Sequence, residues 1–405
     1  MSAAGMAWMA GFCSFSLQAS KRLRGFGSTL LLICTGLLSG TAMAQAPDYA
    51  GIAQDFDERF AQEISQEQIP GGVYAIVHAG QILRLGSMGR VALNQDSRAV
   101  DASTAFRIAS LSKGFSGVLA AMLASENQFL LDAPVSSFAP GFTLKPAMRP
   151  LTVEDVLGQR SGYIPNAFDN LIEAGLGRAE IIPRLSALEP ICPPGKCYSY
   201  QNNAFSLIED VIEQSVGRPF SQVLRERLFE PLGMAGAAIG SQSFLSLENR
   251  AEPHLKTSAG WLRIKPRTTY YQVQSAAGIN AGSLDMAQWA IAMLGHRPDV
   301  ISAEVIAEVL TPRIHTRRDL RNRNWRDVLV EAHYGLGWRI YQLEQHRLAL
   351  HGGWVAGYRA EIALSHELDL GLVILMNAES RAVGRLNRFF WDLAFATGVD
   401  SDRPR

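Results

Sequence analysis

The chain is short of lysine, short of cysteine and without any long uninterrupted apolar run, and each shortage narrows what it can be. Lysine occurs only at Lys21, Lys113, Lys145, Lys196, Lys256 and Lys265. Arginine carries most of the positive charge, and 38 basic residues balance 38 acidic ones. A formal charge of zero leaves no electrostatic footprint for a nucleic-acid partner. Neither a P-loop nor a G-x-G-x-x-G is present, so nucleotide chemistry has no motif, and the absence of H-E-x-x-H gives a metal hydrolase none either. No cofactor is implied. Beyond Gln45 no segment reaches the roughly 20 apolar residues a membrane-spanning helix needs, and no repeat or low-complexity tract appears. What is there is 405 residues, 47% of them apolar, enough for one large core or two moderate ones.

The N-terminal stretch reads as an export leader. Basic Lys21, Arg22 and Arg24 precede "STLLLICTGLL" and then "TAMA", which puts the basic, apolar and Ala42-x-Ala44 cleavage regions in the expected order. The expected leader is residues 1–44, the mature protein is exported to the periplasm or beyond, and a membrane is reached only through an uncleaved leader. Two cysteines, Cys13 and Cys34, fall inside the leader; the others bracket "CPPGKC", Cys192 to Cys197. In an oxidising compartment so short a loop can close as a disulfide, and a zinc site there lacks a second pair of ligands.

Periodicity suggests a chain whose two ends build one sheet. "GGVYAIVHAGQILRLGSMGRV" reads as a hairpin turning at Ala79-Gly80, and "YGLGWRIYQL", "HRLALHGGW", "YRAEIALS" and "DLGLVILMN" read as four strands before a closing amphipathic helix, "GRLNRFFWDLAFA". The pattern between them is mostly helical. The expected organisation is therefore a discontinuous α/β domain, residues 45–125 with 326–405, holding a helical domain, 126–325, and a cleft where the two face each other. The basic run "TRRDLRNRNWR", Thr316 to Arg326, suits a solvated loop, with an anionic partner as the other reading.

Of the six lysines only Lys113 has a serine three positions before it, in "FRIASLSKGFSGVLAAML". On a helix Ser110 and Lys113 are side by side, on an arc continued by Gly114, Gly117 and Ala121, while Leu111, Phe115, Val118, Leu119 and Met122 face the other way. Something must pack closely on that strip of small residues, or a substrate must. A serine hydroxyl is a weak nucleophile until a base takes its proton, and a lysine one turn away can do so. S-x-x-K alone equally suits a serine cap followed by a solvated lysine. Two further words bear on the choice: Tyr200-Gln201-Asn202, the only Tyr-x-Asn in the chain, and His351-Gly352-Gly353 at the end of an expected strand.

Ser110-x-x-Lys113, Tyr200-x-Asn202 and His351-x-Gly353 together resemble the three motifs of the class C β-lactamase-like and penicillin-binding serine hydrolases. "LTVEDVLGQRSGY", "LFEPLGM", "AAGINAGSLDMAQW" and "YGLGW" fall where that family carries similar phrases, so the resemblance covers roughly residues 52 to 395. It implies an α+β fold of the β-lactamase/transpeptidase type: an antiparallel sheet flanked by helices, with an inserted all-helical domain. It also implies roles. Ser110 is the acylated nucleophile, Lys113 its proton partner and Tyr200 the general base and acid. Asn202 holds the substrate's amide, His351 and Gly353 line the binding strand, with His351 the one candidate anchor for a substrate carboxylate, and the backbone N–H groups of Ser110 and Trp354, on an edge strand, form the oxyanion hole.

If Tyr200 is to act as a phenolate near neutrality, its pKa must fall from about 10 to near 7, about 4 kcal/mol of differential stabilisation. One nearby cation supplies at most about that much. Many relatives have a lysine where this chain has His351, and an ordinary histidine is mostly neutral at pH 7. That departure suits a D-alanyl-D-alanine peptidase or an esterase better than an efficient β-lactamase. The resemblance thus implies a small-molecule or peptide substrate: a peptidoglycan stem peptide first, a β-lactam second, an ester third. A non-catalytic penicillin-binding sensor is the alternative of a different class. A closed Cys192–Cys197 loop would stiffen the backbone that presents Tyr200.

Overall fold

The computed structural model describes residues 48–94, 97–143 and 149–397. The expected leader, with Cys13 and Cys34, lies outside them. Strands β1 (Gly71–His78) and β2 (Gln81–Gly89) form the expected hairpin. Its turn residues Ala79 and Gly80 have φ of 49° and 72°, the left-handed pair that a two-residue turn needs to match strand twist. The middle of the chain adds β3 (Phe106–Arg107), β4 (Ala238–Ile239), a hairpin of β5 (His254–Thr257) and β6 (Gly260–Arg263), and β7 (Ile279–Ala281). The C-terminal part supplies β8 (Ile314–His315), β9 (Leu329–Tyr334), β10 (Arg339–Leu343), β11 (Arg347–Val355), β12 (Tyr358–Ser365) and β13 (Leu370–Met376). Eight strands make one antiparallel sheet in the order β2-β1-β13-β12-β11-β10-β9-β8, so the N-terminal hairpin joins the C-terminal meander through the β1–β13 pair.

Both faces of this sheet are covered, and that is why its central strands read as unbroken apolar runs. Along β1, Val73, Ala75 and Val77 enter one core while Tyr74 and Ile76 enter the other. Along β13, Val373 and Leu375 join the first core, and Leu372, Ile374 and Met376 the second. The second core is closed by helix α1 (Tyr49–Gln66) and the C-terminal helix Ala382–Thr397. Their aromatic rings interlock, Phe56 meeting Tyr74 at 4.8 Å and Phe390 at 5.6 Å. Arg385 adds an ion pair to Glu63.

The first core is centred on helix α2 (Ser112–Ser125), which is buried from Ser112 to Leu123 on every side. The strip of small residues is therefore a packing surface and not a substrate face. An added Cβ on Gly117 would stand 2.1 Å from the Leu336 carbonyl, and one on Gly114 2.9 Å from the Trp338 ring. Gly337 returns the contact: its own Cβ would lie 2.1 Å from the Lys113 carbonyl. "YGLGW" is thus the backbone ridge against which α2 rests.

Two features were not legible as strands. β9 carries Val330 and Glu331 exposed side by side, which breaks the period-two signal. The hairpin β5–β6 and the small sheet β3-β7-β4 interrupt a stretch that otherwise reads as helical. The basic run is the expected solvated loop in its arginines, all five of which are exposed, but the loop is anchored. Thr316 and Trp325 are buried, and Asp319 pairs with Arg339. No helix among the described residues is long and apolar enough to cross a membrane.

Candidate active site

Ser110 sits in a single 3-10 turn, Ala109–Leu111, between β3 and α2. Ala109 has φ of 50°, a left-handed conformation that costs an ordinary residue about 1–2 kcal/mol and holds only where the surroundings enforce it. Here Ser112 does so: its hydroxyl donates to the Ala109 carbonyl at 2.7 Å and accepts from the Ile279 N–H at 3.0 Å. The strained turn pushes Ser110 out of the helix line towards the cavity while leaving Lys113 one turn behind it.

Lys113 is fully buried. Its Nζ donates to Asn202 Oδ1 at 2.7 Å, to the Ala276 carbonyl at 3.0 Å and to Ser110 Oγ at 3.3 Å. Burial pulls its pKa down to about 7; the carboxylate of Asp169 opposes the fall and the Arg339 guanidinium adds to it. A neutral amine keeps two N–H groups, enough for Asn202 and Ala276, and aims its lone pair along the third and longest contact, at Ser110.

Tyr200 stands over this pair. Lys113 Nζ is 4.8 Å from its ring centre, and the Arg339 guanidinium carbon is 5.7 Å away. Contrary to the expectation of a phenolate, burial pushes the Tyr200 phenol up to about 12, against the hydrogen bond with Ser110 and the charge of Arg339. Neither that hydrogen bond nor the Arg339 charge overcomes desolvation, so the phenol stays protonated and the group poised near neutrality is Lys113. The loop carrying Tyr200 is tied down from both sides. Gln159 accepts from the Gln201 N–H at 2.6 Å and donates to the Gln201 carbonyl at 3.2 Å, while the Ser199 N–H bonds the Gln159 carbonyl at 2.8 Å. Upstream, Cys192 and Cys197 are joined in a disulfide, and Gly195 N–H bonds the Arg160 carbonyl at 2.7 Å.

Asn202 is a bridge. Its Oδ1 takes the lysine, and its Nδ2 donates to Asp169 Oδ2 at 2.7 Å, so one amide N–H is left for a substrate. His351 departs from its expected role as an anchor for a substrate carboxylate. Its Nδ1 donates to the Gly352 carbonyl at 2.9 Å and its Nε2 accepts from the Tyr334 hydroxyl at 3.0 Å. With both ring nitrogens engaged, burial and the nearby Arg339 and Lys113 charges hold it well below the usual histidine range, in the neutral form. The ring lies 6.3 Å from that of Tyr200 and serves as part of the wall behind it.

Gly353 and Trp354 lie on β11, which is inside the sheet rather than at its edge. The pairing with β10 nevertheless ends at Arg339↔Leu350, so residues 351–355 run on with one side open. The face of β11 towards the first core meets the segment leading to the nucleophile: a Cβ on Gly353 would lie 2.2 Å from the Ile108 carbonyl. Only glycine allows β11 to approach so closely. Trp354 follows, 59% exposed at the cavity rim.

Ser110, Tyr200, Asn202 and Trp354 line one cavity of about 550 Å3, joined there by Asp169 and Arg339. Arg339 is the residue that the sequence reading missed, although it directly follows the quoted "YGLGW". Asp169, a single carboxylate opening the short helix Asp169–Glu173, carried no sequence signal, and Gln159 was hidden within "LTVEDVLGQRSGY".

Comparison with known proteins shows the family. Residues 56–395 match the Beta-lactamase family model. A D-aminopeptidase of Brucella anthropi is 27% identical over 330 residues, covering 80% of this chain and 59% of the relative. The chain spans about three fifths of the length of the curated relatives it matches. Among solved structures, the octameric penicillin-binding protein homologue from Pyrococcus abyssi superposes with a TM-score of 0.76 at 21% identity, over 86% of this chain and 78% of that one. EstCE1, a hydrolase with promiscuous acyltransferase activity, gives 0.72 at 19%, over 85% and 98%.

Proposed function

We propose that this chain, which belongs to the Beta-lactamase family and is a serine hydrolase, works through an acyl-Ser110 intermediate on short peptides containing D-amino acids, outside the cytoplasm. The observation that carries this reading is the position of Lys113 Nζ, 3.3 Å from Ser110 Oγ and 2.7 Å from Asn202 Oδ1. Neutral Lys113 takes the Ser110 proton as Oγ attacks the substrate carbonyl. The tetrahedral oxyanion is met by the backbone N–H groups of Ser110 and Trp354 at the open side of β11. The Tyr200 phenol, still protonated, gives its proton to the leaving nitrogen and recovers one from Lys113. Water then releases the acyl group by the reverse sequence.

Arg339 supports a substrate with a carboxylate. It lies beside Tyr200 in the cavity, which Arg267 also lines, it holds its charge at every accessible pH, and neutral His351 leaves that role to it. The D-aminopeptidase relative supports peptide-bond substrates of the D series. β-Lactams are the second reading, since the same acylation opens a strained amide.

The test is a panel with wild type and Ser110→Ala: diacetyl-Lys-D-Ala-D-Ala, D-alanine p-nitroanilide, nitrocefin and p-nitrophenyl butyrate, with intact mass after a fluorescent penicillin. Wild type should turn over a D-amino-acid substrate fastest and carry the penicillin adduct, and Ser110→Ala should lose both by about 1,000-fold or more. An unmodified wild type with no turnover would make the protein a scaffold; turnover that survives Ser110→Ala would place the chemistry elsewhere.

A further inference from the structure

A second cavity, of about 750 Å3, is larger than the catalytic one. It opens on the other side of β11 and β12, and the strand register explains why it exists. On that face the pairs Leu350↔Ala363, Gly352↔Glu361 and Trp354↔Arg359 follow one another. Leu350 and Ala363 belong to the core beneath the C-terminal helix. One pair later the apolar layer ends: Gly352 has no side chain to fill the space, and an added Cβ there would meet nothing within 4 Å. The walls are then made by Arg323, Arg339, Arg359, Arg381 and Arg385, against the carboxyls of Asp319 and Glu361.

These charges do not cancel. Asp319 is taken by Arg339, and Arg385 is taken by Glu63 and Glu67 outside the cavity. Among the described residues no ion pair engages Arg323, Arg359 or Arg381. Arg359 is the most exposed to the cost of this. Its guanidinium lies 4.3 Å over the Trp354 ring, its Nε is buried without a hydrogen-bond partner, and burial pulls its pKa below the ordinary arginine value against the opposing carboxylates of Glu379 and Glu361. Glu361 bonds Asn387 at 2.7 Å, and burial raises it to about 7, so near neutrality it carries only part of a carboxylate's charge against an anion. The 16-residue helix Ala382–Thr397 starts at this cavity and contributes the positive end of its dipole.

We propose that this cavity binds a ligand through an oxyanionic group, a phosphate or a carboxylate, held by Arg359, Arg381 and Arg323. Arg323 comes from the basic run whose charge the catalytic reading leaves unused. Trp354 stacks under Arg359 here and also lines the catalytic cavity, so occupancy is felt at the strand proposed to hold the oxyanion.

The experiment titrates inorganic phosphate, and separately citrate, into the purified chain in a zwitterionic buffer at pH 7.5, with sodium chloride of equal ionic strength as blank. Heat of binding and melting temperature are both followed. Expected is saturable binding of one or both anions beyond the blank, weakened about tenfold or more in Arg359→Gln and in Arg381→Gln, tightened in Glu361→Gln and unchanged in the exposed control Arg225→Gln. Phosphate alone saturating assigns a phosphate ligand; citrate alone assigns a carboxylate. Ser110→Ala should bind the anion like wild type, which separates this result from the acylation chemistry. No saturable binding of either anion by wild type, or undiminished binding in whichever arginine variants keep the wild-type circular dichroism, overturns the proposal.

Discussion

Ser110 and Lys113 stand on a turn pressed between backbones, whereas Tyr200 stands on a loop tied down by side chains and a disulfide. On the first wall the contacts are made by what is missing. Gly114, Gly117, Gly337 and Gly353 let α2, the β9–β10 connection and β11 approach to distances that no Cβ would survive. On the second wall Gln159 and the Cys192–Cys197 bridge hold an extended segment with few regular bonds of its own. Close packing is stiff and fails abruptly when volume is added. Hydrogen-bonded tethers fail by degrees.

The comparison breaks most severely at Lys113. Lys113→Met should lower kcat/KM by about 100- to 10,000-fold with little loss of folding, measured by steady-state kinetics and thermal melting. Wild-type kcat/KM on a neutral ester should rise with pH through about 7, because burial depresses Lys113 to that value and its neutral form is the base. No alkaline fall should appear before about pH 10, since Tyr200 is raised to about 12 and stays protonated. A flat profile between pH 6 and 9 would assign the base elsewhere.

Gly117→Ala tests the packed wall through stability. Its methyl would meet the Leu336 carbonyl, 2.1 Å away, so the variant should lose roughly 2–4 kcal/mol in denaturant unfolding. Gln159→Ala tests the tethered wall. It should cost about 1–2 kcal/mol and lower kcat about tenfold with KM and the acid limb near pH 7 unchanged, as a change of position rather than of base. The smallest effect on kcat is expected at the disulfide. A loop this short constrains the unfolded chain by only about 2 kcal/mol, and Gly195 and Gln159 hold the segment independently. Cys197→Ser should therefore lower the melting temperature while changing kcat less than about threefold. A larger drop than that of Gln159→Ala would reverse the order of the two tethers.

The hairpin at Ala79-Gly80, the run of β10 to β13 and the closing helix were legible because turn residues and apolar runs are local signals. So were Ser110, Lys113, Tyr200 and Asn202, whose short spacings are read directly from the chain. β9 was not, because its exposed Val330 and Glu331 are adjacent and mask the alternation. Nor was the state of His351. Its motif suggested a substrate anchor, and its neutrality depends on the hydroxyl of Tyr334, the carbonyl of Gly352 and two cations from other elements.

The residue types and their spacing by themselves determined which side chains could carry the chemistry, since S-x-x-K, Y-x-N and H-x-G need only a short stretch of chain each. Which of those groups holds a proton at pH 7 was decided by the tertiary structure alone. Burial moves Lys113 down and Tyr200 up, and desolvation is a property of everything packed around a group, not of its neighbours along the chain. Arg339 became part of the site in the same way, when the sheet brought β10 beside Tyr200.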